Sequence, residues 1–108
     1  MSNLSQSQFG FHAASKKHRS AIESGGLKPQ SNDQGYTPGV YAAASSNDLE
    51  SYLGDSTPNK DIYHVEIGKA HPDPMYHGAV YSPDAIPAHK VKRVGHTDAE
   101  GAIHWKPE

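Results

Sequence analysis

Three side chains are of types that could do chemistry together: His12, Tyr41 and Asp73. They stand 29 and 32 residues apart. Their settings are Phe11-His12-Ala13-Ala14-Ser15, Gly39-Val40-Tyr41-Ala42-Ala43-Ala44-Ser45 and His71-Pro72-Asp73-Pro74. A neutral imidazole offers one donor and one acceptor, which suits a diol. A tyrosine ring presents a π face that attracts a cationic ring. A carboxylate supplies negative charge where positive charge develops. Each residue also has a plain structural use, as a strand-end histidine, a half-buried strand tyrosine and a turn aspartate between prolines. Tyr36 rivals Tyr41, and Glu66 and Asp84 rival Asp73.

Composition narrows the chemistry. The 108 residues carry no cysteine, which rules out a thiolate nucleophile, a disulfide framework and a cysteine-ligated zinc. The formal charge of −2 argues against a strongly basic nucleic-acid binder. Eight histidines would move that charge to +6 if all were protonated, so the surface potential depends on pH. His64, His71, His77 and His89 show no metal-ligand spacing, and no metal is expected. No apolar run approaches a membrane span. No Gly-x-Gly-x-x-Gly follows a strand and no Walker loop is present, so a nucleotide would be held by other means.

The elements that must position the three residues are short, because ten glycines and eight prolines punctuate the chain. Residues 1–8 read as a polar, disordered leader, and residues 9–108 as a single domain. A strand is expected over 9–12. Ser15 then caps a helix to about Ser24, with Ala21 and Ile22 facing inward and Gly25-Gly26 stopping it. Leu27 re-enters the core, and 28–38 reads as a long loop. A second strand is expected over 39–44. Asn47 and Glu50 form the capping box of a helix ending at Leu53-Gly54.

Residues 61–67 give the clearest strand, with Tyr63, Val65 and Ile67 on one face. Further strands are expected over 79–81, 90–95 (Val91 and Val94 buried) and 103–106. Short helices followed by strands predict an α+β fold. The basic run Lys16-Lys17-His18-Arg19 reads either as a solvated face or as a contact for nucleotide phosphates or an RNA backbone.

In order and spacing these segments resemble the mono-ADP-ribosyltransferase fold, and within it the small rifamycin ADP-ribosyltransferase (Arr-like) group. Phe11-His12 through Gly26-Leu27, Gly39-Val40-Tyr41, Ile62-Tyr63-His64-Val65-Glu66, Asp73-Pro74 and Arg93-Val94-Gly95 carry the likeness, over roughly residues 9–100. The Gly-Thr that commonly follows the family's histidine is Ala13-Ala14 here.

The resemblance implies a compact α+β domain with short N-terminal helices and two small, mostly antiparallel sheets forming an NAD cleft. It implies cleavage of the bond between nicotinamide and ribose of NAD, the co-substrate, through an oxocarbenium-like ribose. His12 would hold ribose hydroxyls, Tyr41 would stack on nicotinamide, and Asp73 would stabilise the cation. Ala13 and Gly26 complete the NAD-binding set. The acceptor would be a protein or RNA, as for toxin-type effectors, or a small-molecule hydroxyl. An effector of this type acts in the cytoplasm after delivery by a specialised system, works as a monomer, and has an immunity protein as partner. Ser24-Gly25-Gly26-Leu27-Lys28-Pro29 also resembles the opening of RNA 2′-phosphotransferases. A non-catalytic NAD-binding module is the remaining alternative.

Overall fold

The computed structural model describes residues 8–29, 39–53, 57–68, 70–73 and 78–108. Tyr36, most of the expected 28–38 loop, Gly54, Pro74 and His77 lie outside these residues. The fold is α+β. Among the described residues two α-helices, α1 (Arg19–Gly25) and α2 (Ser46–Leu53), accompany seven strands. These are β1 (Gln8–Ser15), β2 (Val40–Ala43), β3 (Lys60–Gly68), β4 (His71–Pro72), β5 (Ala79–Ser82), β6 (Val91–Thr97) and β7 (Ile103–His104). They form one antiparallel sheet in the order β4-β5-β2-β1-β3-β6-β7, where two sheets were expected. The two halves are continuous because Phe11 of β1 pairs with Ala43 of β2.

β3 is the spine. Its alternation places Tyr63, Val65 and Ile67 in one core, with Ile22, Leu27, Val40 and Ile86. Ile62 points the other way, into a second core with Ala43, Leu49 and Leu53. Both faces of β3 are therefore covered, one on the α1 side and one by α2. The near-continuous burial from Asp61 to Val65 follows from that double cover.

The first helix begins differently from the expectation. Ser15 accepts from the Lys17 N–H, but Lys16–His18 form a 3₁₀ turn before α1 starts. Ile22 is buried while Ala21 faces solvent, because α1 meets the sheet along a narrow stripe. The second helix is capped earlier than expected. The Ser45 hydroxyl donates to Asp48 Oδ2 at 2.8 Å and accepts from the Asp48 N–H at 3.1 Å. The N-cap is therefore Ser45, with Asp48 as its partner, rather than Asn47 with Glu50. Leu49 and Leu53, one turn apart, anchor the helix in the core.

On β6, Val91 and Val94 are half-buried rather than buried. The pairing of β3 and β6 shifts register between Ile62 and Tyr63, opposite Gly95 and Arg93, which leaves Val94 as the bulged residue. No helix of the described residues is long and apolar enough to cross a membrane.

Candidate functional site

β1 and β2 share a single register pair, so the sheet is weakly joined at its centre. Beside that join lies a cavity of about 700 Å³. β1 supplies Phe11, His12 and Ala13 to its lining, and β2 supplies Tyr41, Ala42 and Ala43. α2 contributes Asp48, Leu49, Ser51 and Tyr52, and the other described lining residues are Asp73, Gly78 and Ala79. His12, Tyr41 and Asp73 thus line one cavity although they arise from distant parts of the chain.

The local sequence explains the positions. Gly10 permits the join: a Cβ there would lie 2.9 Å from Ala42 Cβ and 3.0 Å from the Ala43 carbonyl oxygen. Two residues on, the His12 ring reaches across, and its Nδ1 lies 2.7 Å from the Tyr41 carbonyl oxygen. A carbonyl only accepts, so Nδ1 carries the proton and donates. In the neutral ring Nε2 is then an acceptor, and the imidazole has one hydrogen-bonding function left for a ligand. Burial lowers the His12 pKa, and the bond to Tyr41 only partly offsets it, so the neutral form is favoured.

Tyr41 stacks on its cross-strand partner Tyr81 at 5.2 Å, and Tyr81 meets the His71 ring at 5.5 Å. Burial raises the Tyr41 pKa, and the Asp73 charge and Tyr81 add to the rise, so the phenol keeps its proton. The Asp73 backbone is held by its N–H, which donates to the Ala79 carbonyl at 3.0 Å.

The rival acids are elsewhere. Glu66 and Asp84 line a separate cavity of about 210 Å³ together with Lys90. Of the three carboxylates weighed from sequence, Asp73 alone shares a cavity with His12 and Tyr41. Ala13 is in the lining and Gly26 is not. Gly26 has φ +78°, and a Cβ there would collide with the Ile86 carbonyl, so its glycine serves the packing of α1 against the 86–88 segment.

Two side chains of the basic run are paired away from the cavity. Arg19 makes a bidentate pair with the fully buried Asp61, at 2.6 and 2.8 Å, and Lys16 pairs with Glu108. None of the four residues lines the cavity.

Sequence reasoning missed Asp48, Ser51 and Tyr52. Tyr52 is 69 % exposed and gives the cavity a second tyrosine ring. A signal existed: positions 48, 51 and 52 share a helical face, offset from the buried Leu49 and Leu53. Asp48 also abuts Gly78, where a Cβ would meet its carboxylate, so this acid braces α2 against the start of β5.

The described lining therefore combines aromatic rings, two carboxylates and a neutral histidine, with no lysine or arginine. That chemistry suits a planar cationic group. No group of three or more metal-ligating side chains occurs among the described residues. Comparison with known proteins finds no matching family model, no matching curated protein and no matching solved structure.

Proposed function

We propose that this chain is an NAD-dependent mono-ADP-ribosyltransferase that releases nicotinamide and acts, as a toxin-type effector, on a protein or RNA acceptor. The observation that carries the reading is the lining of a single cavity by His12, Tyr41 and Asp73. These are the residues, in the order and spacing, on which the family resemblance rests.

The chemistry follows from their geometry. A pyridinium ring is planar and cationic, and the Tyr41 and Tyr52 rings offer π faces to it. His12, tied through Nδ1 to the Tyr41 backbone, accepts a hydrogen bond at Nε2 from a ribose hydroxyl, which keeps its proton. The ribose holder and the nicotinamide platform are thereby coupled by one hydrogen bond. Breaking the glycosidic bond leaves positive charge on the ribose and removes it from the pyridinium. Asp73, whose charge already acts on Tyr41, stabilises the ribose cation as it forms. A cavity of about 700 Å³ is in the size range of small-molecule and cofactor sites.

Incubating the protein with NAD labelled in its adenosine half, together with a cell lysate, tests the proposal. Label transferred to protein or RNA with release of nicotinamide supports it. No label on any macromolecule or small molecule, with no nicotinamide released, refutes it.

A further inference from the structure

The segment after β7 does not leave the fold but folds back over it. It crosses β6 at Gly95, where a Cβ would sit 2.8 Å from the His104 carbonyl oxygen and 3.4 Å from the Trp105 ring. Beyond that crossing it is held at several points. The Lys106 carbonyl accepts from His96 Nδ1 at 2.9 Å. The Glu108 carboxylate pairs with Lys16 and Arg19. Arg93 Nη1 donates to the Glu108 main-chain oxygen at 3.3 Å.

Trp105 is the part of this segment that reaches the site. Its ring meets Phe11 edge-on, with centroids 5.5 Å apart and planes at 74°. Its Nε1–H donates to Glu50 Oε2 at 3.0 Å. Phe11 lines the cavity from β1. Glu50 stands on α2 between Leu49 and Ser51, both of which line it. One side chain thus touches the two elements whose separation sets the width of the cavity. α2 has eight residues, too few for a helix that is stable by itself, so contacts must hold it. Leu49 and Leu53 anchor it to the core, and Trp105 ties Glu50, away from that anchor, to β1.

We infer that Trp105 is a positioning residue for the cavity: it braces α2 against β1 and so sets the gap that receives the ligand. The identity of that ligand as NAD rests on the proposed function; the bracing does not.

The test uses the full chain, amide hydrogen exchange of α2 and calorimetric titration with NAD. Trp105→Ala removes both contacts. It is expected to speed exchange of the Leu49–Leu53 amides about tenfold while the β3 amides stay protected. It is also expected to weaken NAD binding several-fold. Trp105→Phe keeps a ring edge against Phe11 but loses the donor, and should give a smaller change. Glu50→Gln keeps an acceptor oxygen and should behave like the parent, whereas Glu50→Ala should resemble Trp105→Phe.

Unchanged α2 protection in Trp105→Ala overturns the bracing. Loss of protection spread equally over β3 and β6 also overturns it, because that is general destabilisation. If the parent protein binds no NAD, the proposed function falls while the exchange result still decides the bracing. If the parent binds NAD and Trp105→Ala binds it equally well, the positioning role falls and the proposed function stands.

Discussion

The two halves of the sheet are built to different standards. On one side, β1 and β3 share eight register pairs, and β3 and β6 share five. Both faces of β3 are packed, and Asp61 at its start is fully buried in a bidentate pair with Arg19. On the other side, β2 and β5 share four pairs, β4 is two residues long, and a single pair ties this half to β1. The cavity lies at that weak join. A dense half supplies the stability, and the thin join leaves room for a ligand between elements that the dense half holds in place. Changes in the two halves should therefore separate stability from activity.

The largest effect is expected at the join. Asp73→Ala should lower ADP-ribose transfer by about a thousandfold, as for removal of a single charge-stabilising group. Its melting temperature should stay close to that of the parent. Full activity in this variant would remove Asp73 from the chemistry.

The dense half should respond in the opposite sense. Asp61→Ala leaves Arg19 without its buried partner and should cost about 3 kcal/mol in urea unfolding. NAD affinity, measured where the variant is folded, should be unchanged. A loss of affinity without loss of stability would erase the contrast between the halves.

Gly10 stands where the halves meet. Gly10→Ala places a methyl against Ala42 and the Ala43 carbonyl, at a cost of about 1–3 kcal/mol. It should also weaken NAD binding, because it displaces β2 and with it Tyr41. A stability loss alone would show that the join does not set the site.

The smallest effect is that of pH. The folded-state pKa of His12 lies below its ordinary value of 6.5. Above that pH the ring is neutral in both folded and unfolded chains. As pH falls below it, the unfolded chain takes up the proton first, so this group withdraws stability toward acid. Protonation also turns Nε2 from acceptor to donor and should weaken ribose binding.

The carboxylates act in a lower window. Arg19 holds Asp61 below the usual carboxylate range against the opposing effect of burial. The His104 bond holds Asp98 there, and the Lys16 bond holds Glu108 there. Their contribution is present above the ordinary values of 3.8 and 4.5 and is lost as pH falls through the lower folded ones. Between pH 6.5 and 4.5, the parent should therefore lose more stability than His12→Gln. Equal slopes in melting curves of the two proteins would contradict this.

The dense half was also the legible half. Tyr63, Val65 and Ile67 alternate strictly, and Asp61 to Ile67 reads as a strand from its residues alone. At the join the signal was local and ambiguous. Two overlapping caps, Ser45 with Asp48 and Asn47 with Glu50, fit the same stretch. The choice between them depends on where β2 ends and how Leu49 and Leu53 meet the core. Either cap leaves Ser51 and Tyr52 on the helix, and only the placement of α2 beside β1 and β2 shows that these two and Asp48 line the cavity. Order and spacing singled out His12, Tyr41 and Asp73, and the fold brings these three to one cavity. Separating Asp73 from Glu66 and Asp84 needed three-dimensional placement, since all three are acids on strands or adjoining turns. One sheet rather than two turns on the single pair between Phe11 and Ala43, which no residue pattern announces. Trp105 had no local signal, because its partners Phe11 and Glu50 are distant in the chain.

The most direct test of the account is amide hydrogen exchange of the parent protein with and without saturating NAD. NAD is expected to slow exchange at Phe11–Ala13, Tyr41–Ala43 and the α2 amides, and to leave β3 and β6 as they were. No change at any amide, or protection confined to the cavity of Glu66, Asp84 and Lys90, would contradict it.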